Sequence, residues 1–113
     1  MIKIYHNNRC SKSRCALKYI TESQQEIQVI DYLKKGLRKE EIVEILELLK
    51  VEPLAIIRTN EEIFKTQYKS KNLTKTQWIE ALIAYPILLE RPIAVANGKA
   101  VLGRPPELVK DLF

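Results

Sequence analysis

The sequence predicts an α/β fold: a small mixed four-stranded sheet flanked by helices, with a helical insertion between the second and third strands. Three observations carry this expectation. Two short β-prone runs, "IKIY" at 2–5 and "EIQVID" at 26–31, are separated by a segment whose apolar residues recur at helical spacing. Asn97-Gly98 lies between two further β-prone runs and is the dipeptide that a tight type I′ hairpin requires. Helical signals fill most of the chain between these pairs.

The elements follow in order. "IKIY" alternates apolar and polar residues and stops at "HNN", whose asparagines favour a turn. A helix then starts near Cys10 or Ser11 and buries Ala16, Leu17 and Ile20 on one face. "EIQVID" forms the second strand. In "RKEEIVEILELLK", Ile42, Ile45, Leu46 and Leu49 lie on one stripe with glutamates opposite, which predicts an amphipathic helix. Thr59 with Glu62, and Thr74 with Gln77, fit the capping-box pattern and open helices over 61–68 and 75–84. The second of these ends before Pro86, because the residue preceding proline avoids helical angles. "PIAVANGKAVLG" supplies the hairpin, and "RPPELVKDLF" closes with a helix that starts on proline.

Strands joined through a helix run parallel, and hairpin strands run antiparallel. A mixed sheet of this order, covered by helices, is the thioredoxin-like architecture, preferred here over an unrelated α+β sandwich. With 113 residues, 46% of them hydrophobic, the chain suits one domain spanning 1–113 and is too short for two ordinary ones. No apolar run approaches the roughly 20 residues that cross a bilayer. A soluble cytoplasmic protein is expected, with monomer as the default state.

The net charge of +5 is modest, but its distribution is uneven. Residues 1–21 hold Lys3, Arg9, Lys12, Arg14 and Lys18 and no acidic residue. That end attracts anions. After residue 21 basic and acidic residues interleave, and the aromatic residues form no stacking pattern, so nucleic-acid binding is not expected. One histidine, His6, makes a metal site of ordinary ligand count equally unexpected.

Cys10 stands at the predicted junction of strand and helix. Unsatisfied N–H groups and the positive end of the helix dipole favour a thiolate there, as do Arg9, Arg14 and His6 nearby. The same geometry binds oxyanions, so a nucleophile and an anion site coincide. Cys15 lies away from the Leu17 and Ile20 face and reads as a half-exposed helix residue without a role. A Cys10–Cys15 disulfide is excluded while the helix is intact: five residues rise about 7.5 Å, whereas a disulfide needs Cα atoms roughly 4.4–6.8 Å apart. A C-x-x-C pair is absent because Ser13 occupies the second position, and a phosphatase-type Cys-x5-Arg loop fails because Ala16 stands where arginine would be. Three arginines, Arg58, Arg91 and Arg104, each follow an apolar run and precede a cap or a proline. Together they would make planar forks on a tetrahedral oxyanion.

These residues sit in "IYHNNRCSKSR", "IIRTNE", "YPILLERPI" and "LGRPPE", and in that order they resemble the glutaredoxin-coupled arsenate reductase family and its relatives of unassigned substrate. The likeness spans nearly the whole chain. It implies a thioredoxin-like fold, Cys10 as the nucleophile of the H-N-x-x-C-x-x-S-R segment, and Arg58, Arg91 and Arg104 as arsenate ligands. It further implies a cis peptide at Arg91-Pro92 and supporting positions at His6 and Ser13. The expected activity is reduction of arsenate to arsenite through a Cys10-arsenate adduct, with glutathione as co-substrate, glutaredoxin as partner and no bound cofactor. Two other readings compete. An Spx-like regulator binding RNA polymerase shares the fold but senses oxidation through a C-x-x-C pair, and a general thiol-disulfide oxidoreductase would need Cys10 while being indifferent to the arginines.

Overall fold

The computed structural model describes residues 1–113. The chain divides into two compact units, Met1–Lys35 with Arg91–Phe113, and Gly36–Glu90.

The first unit holds the sheet. Strands β1 (Ile2–Tyr5), β2 (Ile27–Ile30), β3 (Ile93–Ala96) and β4 (Lys99–Leu102) lie in the order β2-β1-β3-β4. β1 pairs parallel with β2, Ile4 opposite Val29, and antiparallel with β3, Ile4 opposite Ala94. β3 and β4 form the expected hairpin. Its turn residues have positive φ, 53° at Asn97 and 71° at Gly98, as type I′ geometry demands. Being central, β3 is buried along its whole length. Helix α1 (Ser11–Glu22) and a 3-10 helix (Pro106–Leu112) pack on one face of the sheet. There Ile2 and Ile4 meet Ala16, Ile20, Ala94, Ala96, Val109 and Leu112. Burying each large aliphatic side chain in such a cluster contributes about 1.5–3 kcal/mol. The closing helix is thus 3-10 in type, and the single turn α2 (Tyr32–Lys35) after β2 carried no periodic signal.

The second unit is the helical insertion. It contains α3 (Lys39–Leu49), α4 (Glu62–Gln67) and α5 (Lys75–Ala84), with 3-10 turns at Pro53–Ile56 and Pro86–Leu88. Ile42, Ile45 and Leu46 of α3 are buried, as are Trp78, Ile79 and Leu82 of α5. α5 begins with the expected capping box: the Gln77 N–H donates to Thr74 Oγ1 at 3.2 Å and the Thr74 N–H to Gln77 Oε1 at 2.9 Å. Two local expectations are corrected. α4 is capped by Glu61 without a side-chain hydrogen bond, so Thr59 and Glu62 form no capping box. Glu41 lies on the buried side of α3 and not opposite it, because its carboxylate accepts the Arg38 N–H at 3.0 Å and closes the helix start. No helix is long and apolar enough to cross a membrane.

Candidate active site

After Tyr5 the chain leaves the sheet through a tight loop held by its own polar groups. The Asn7 carbonyl accepts the Cys10 N–H at 3.0 Å, and Asn7 Oδ1 accepts the Arg9 N–H at 3.0 Å. Cys10 is the N-cap of α1, with extended dihedrals (φ −92°, ψ 121°), and its carbonyl accepts the first helical bond from the Arg14 N–H at 3.0 Å. Ser13, fully buried, fastens the loop to the helix. Its Oγ accepts the Asn7 N–H at 3.0 Å and lies 2.6 Å from Nδ1 of buried His6. If the hydroxyl donates its proton to Nδ1, the ring proton sits on Nε2; the opposite tautomer reverses that bond.

Burial is the largest single influence on the Cys10 thiol and pushes its pKa up. The Ser13 N–H, the Arg91 guanidinium and the Lys12 N–H together outweigh it, so the pKa lies below the ordinary thiol value. Lys12 and Ser13 lie in the first turn of α1, where backbone N–H groups are free to stabilise negative charge on the sulfur. Arg14 is exposed and donates from Nη1 to the Asn8 carbonyl at 2.9 Å, which braces the loop. Cys10 and Cys15 are both free thiols. Cys15 lies beside Tyr19, whose phenol pKa it raises through a hydrogen bond.

Arg91 and Arg104 are linked to each other. The Arg91 carbonyl accepts from Arg104 Nη1 at 3.0 Å, and both arginines precede cis prolines, Arg91-Pro92 and Arg104-Pro105. The first cis bond was expected; the second was not. Arg91 Nε is buried without a hydrogen-bond partner. A buried donor left unpaired costs about 1–3 kcal/mol, so this N–H is suited to an acceptor that arrives with a ligand.

Gly103 fixes Pro92. The Gly103 N–H donates to the Pro92 carbonyl at 2.8 Å, and a Cβ at Gly103 would stand 2.8 Å from Pro92 Cγ and 3.2 Å from Val109 Cγ1. Gly103→Ala should therefore destabilise the protein by about 1–3 kcal/mol through overpacking and slow alkylation of Cys10 by displacing Arg91. Thermal denaturation and iodoacetamide kinetics would check this. An unchanged Tm would mean that Pro92 yields freely. Sequence reasoning passed over Gly103, although its place just before Arg104-Pro105 was the available signal.

The first unit thus holds Cys10, His6, Ser13, Arg14, Arg91, Pro92 and Arg104. Arg58 belongs to the second unit. Its N–H donates to the Leu88 carbonyl at 2.7 Å, and its guanidinium pairs with Glu61 through Nη1 and with Glu90 through Nε, the latter at 3.4 Å. These carboxylate partners were not singled out from sequence.

Residues 5–112 match the ArsC family. An arsenate reductase of Neisseria meningitidis is 37% identical over 114 residues, covering 99% of this chain and 97% of the relative. A protein of Escherichia coli, YfgD, described as uncharacterized, is 38% identical over 113 residues, covering 98% of this chain and 95% of the relative. Among solved structures, an arsenate reductase from Vibrio cholerae superposes with a TM-score of 0.93 at 37% identity, covering 99% of this chain and 97% of that one. The mixed sheet with its flanking helices is the thioredoxin-like fold of these reductases. By the match across nearly its whole length, and by relatives this similar over their full extent, the chain belongs to the ArsC family.

Proposed function

We propose that this protein reduces arsenate to arsenite with Cys10 as nucleophile. One observation supports this above the rest: a thiol with a lowered pKa stands beside Arg91, whose buried Nε–H has no partner within the protein. An oxyanion beside Cys10 would supply the acceptor. Arg104, tied to the Arg91 carbonyl, adds a second guanidinium, and Arg58 enters as the third ligand on the strength of the sequence resemblance.

In the proposed sequence the Cys10 thiolate attacks arsenic(V), and an As–OH group takes up the proton released by the thiol and leaves as water, giving a Cys10-S-arsenate adduct. A glutathione thiolate then attacks Cys10 Sγ. The S–As electron pair stays on arsenic, which departs as arsenite, and the two sulfurs, oxidised together by two electrons, form a mixed disulfide. Glutaredoxin reduces that disulfide and restores the Cys10 thiol. Splitting a two-electron reduction into exchanges at sulfur is covalent catalysis. His6 and Ser13 act as supports by holding the loop that carries Cys10. The protein is proposed to work in the cytoplasm as a monomer without a bound cofactor or metal.

The test is arsenite production from arsenate by the purified protein with glutathione and glutaredoxin, and in parallel with thioredoxin and its reductase in their place. Turnover only in the first mixture is the expected result. Turnover only in the second would change the electron donor, and none in either would overturn the reductase reading. Ser13 also bears on the regulator reading: it is buried against His6 where a C-x-x-C sensor needs its second thiol.

A further inference from the structure

Arg58, proposed above as an oxyanion ligand, is already paired with two carboxylates. An antiparallel bridge pairs Ile57 with Leu89, flanked by the Arg58 N–H on the Leu88 carbonyl at 2.7 Å and the Glu90 N–H on the Ile56 carbonyl at 2.8 Å. This brings Arg58 and Glu90 side by side. The Glu61 N–H donates to the Arg58 carbonyl at 3.2 Å, which turns Glu61 back toward the same guanidinium. All three side chains are largely withdrawn from water, at 16% exposure for Arg58, 24% for Glu61 and 25% for Glu90. Two carboxylates thus face one guanidinium. Glu61 accepts a hydrogen bond from Arg58 Nη1, and Glu90 stands 3.4 Å from Nε as an ion pair.

We infer that Glu61 and Glu90 act through Arg58 to keep its affinity for oxyanions low, by compensating its charge from two sides. The inference rests on the proposed role of Arg58 as an oxyanion ligand. Its chemical logic comes from the likeness of phosphate and arsenate, which share charge and tetrahedral shape. A strong cationic site holds both, and phosphate would then occupy it without reacting. Binding that is equal for a substrate and its competitor adds nothing to the chemical step. With Arg58 compensated, discrimination passes to the attack by Cys10, which arsenate accepts and phosphate does not.

The probe is inorganic phosphate, titrated calorimetrically into the whole protein, so that the measurement does not depend on turnover. Glu90→Gln and Glu61→Gln keep the shape and remove one charge each. Either should tighten phosphate binding by about threefold to tenfold, the range expected for a close, partly screened charge. Combined with Arg58→Ala, the same substitutions should change nothing, because their effect passes through that guanidinium. In the arsenate assay, where turnover is present, the glutamine variants should lower KM without raising kcat and become more sensitive to phosphate. Unaltered phosphate affinity in both variants, or equal tightening without Arg58, would overturn the inference. Absence of arsenate turnover would refute the reductase reading and leave the phosphate comparison decisive.

Discussion

Cys10→Ser should abolish arsenite formation, with a loss on the order of a thousandfold or more, while Cys15→Ser stays within about twofold of the parent. A serine hydroxyl at that position meets the same N–H groups but does not ionise near neutral pH, and it forms no sulfur adduct that a second thiol can cleave. The substitution is nearly isosteric at the N-cap, where serine is a favoured residue, so the fold should persist or gain slightly. Cys15 faces Tyr19 and takes no part in the cluster around Cys10. Arsenite assays of both variants, with circular dichroism to confirm folding, separate the two thiols. Appreciable turnover by Cys10→Ser would place the chemistry elsewhere.

Arg91→Ala should raise the pKa of Cys10 and lower arsenate turnover by roughly tenfold to a thousandfold. The sign follows from the influences on the thiol. Burial raises its pKa, and the Ser13 N–H, the Arg91 guanidinium and the Lys12 N–H lower it below the ordinary value. Removing Arg91 leaves burial opposed by two backbone dipoles alone, so the midpoint of thiolate formation moves to higher pH. In a Cys15→Ser background, the pH profile of iodoacetamide alkylation should shift upward, with slower reaction at pH 7 and convergence of the two proteins at alkaline pH. Arg91→Lys should recover part of the pKa shift, since it restores charge, and little of the turnover, since it lacks the planar fork. A profile unmoved by Arg91→Ala would show that the helix start alone sets the thiol.

Local patterns made much of this protein legible. Asn97-Gly98 announced its hairpin because positive φ at two successive positions leaves few alternatives, and Thr74 with Gln77 announced α5 because both bonds lie within four residues. Thr59 and Glu62 carried the same pattern and misled. The backbone from Ile56 to Arg58 is committed to its bridge with the Leu88–Glu90 segment, and α4 begins only after it. Glu41 reads as a solvent-facing residue in the helical pattern until its bond to the Arg38 N–H is seen. In the candidate site, Cys10, Arg91 and Arg104 stood out by context and by family resemblance. The pairing of Arg58 with Glu90 did not, since the two are distant in sequence and only the bridge joins them. The role of Gly103 was hidden for a similar reason, because Pro92 approaches it from another strand end.

Cys10 and Arg91 share one compact unit, yet the whole of Gly36–Glu90 separates them along the chain. During synthesis β1, α1 and β2 leave the ribosome first, and β3, which must slot beside β1, leaves only after the helical segment. The growing polypeptide therefore carries Cys10 without Arg91 beside it until residues 91–104 have emerged and docked. The contribution of that guanidinium to thiolate stability is absent until then. The last element of the thiol's surroundings is thus supplied by closure of the sheet, when β3 pairs with β1.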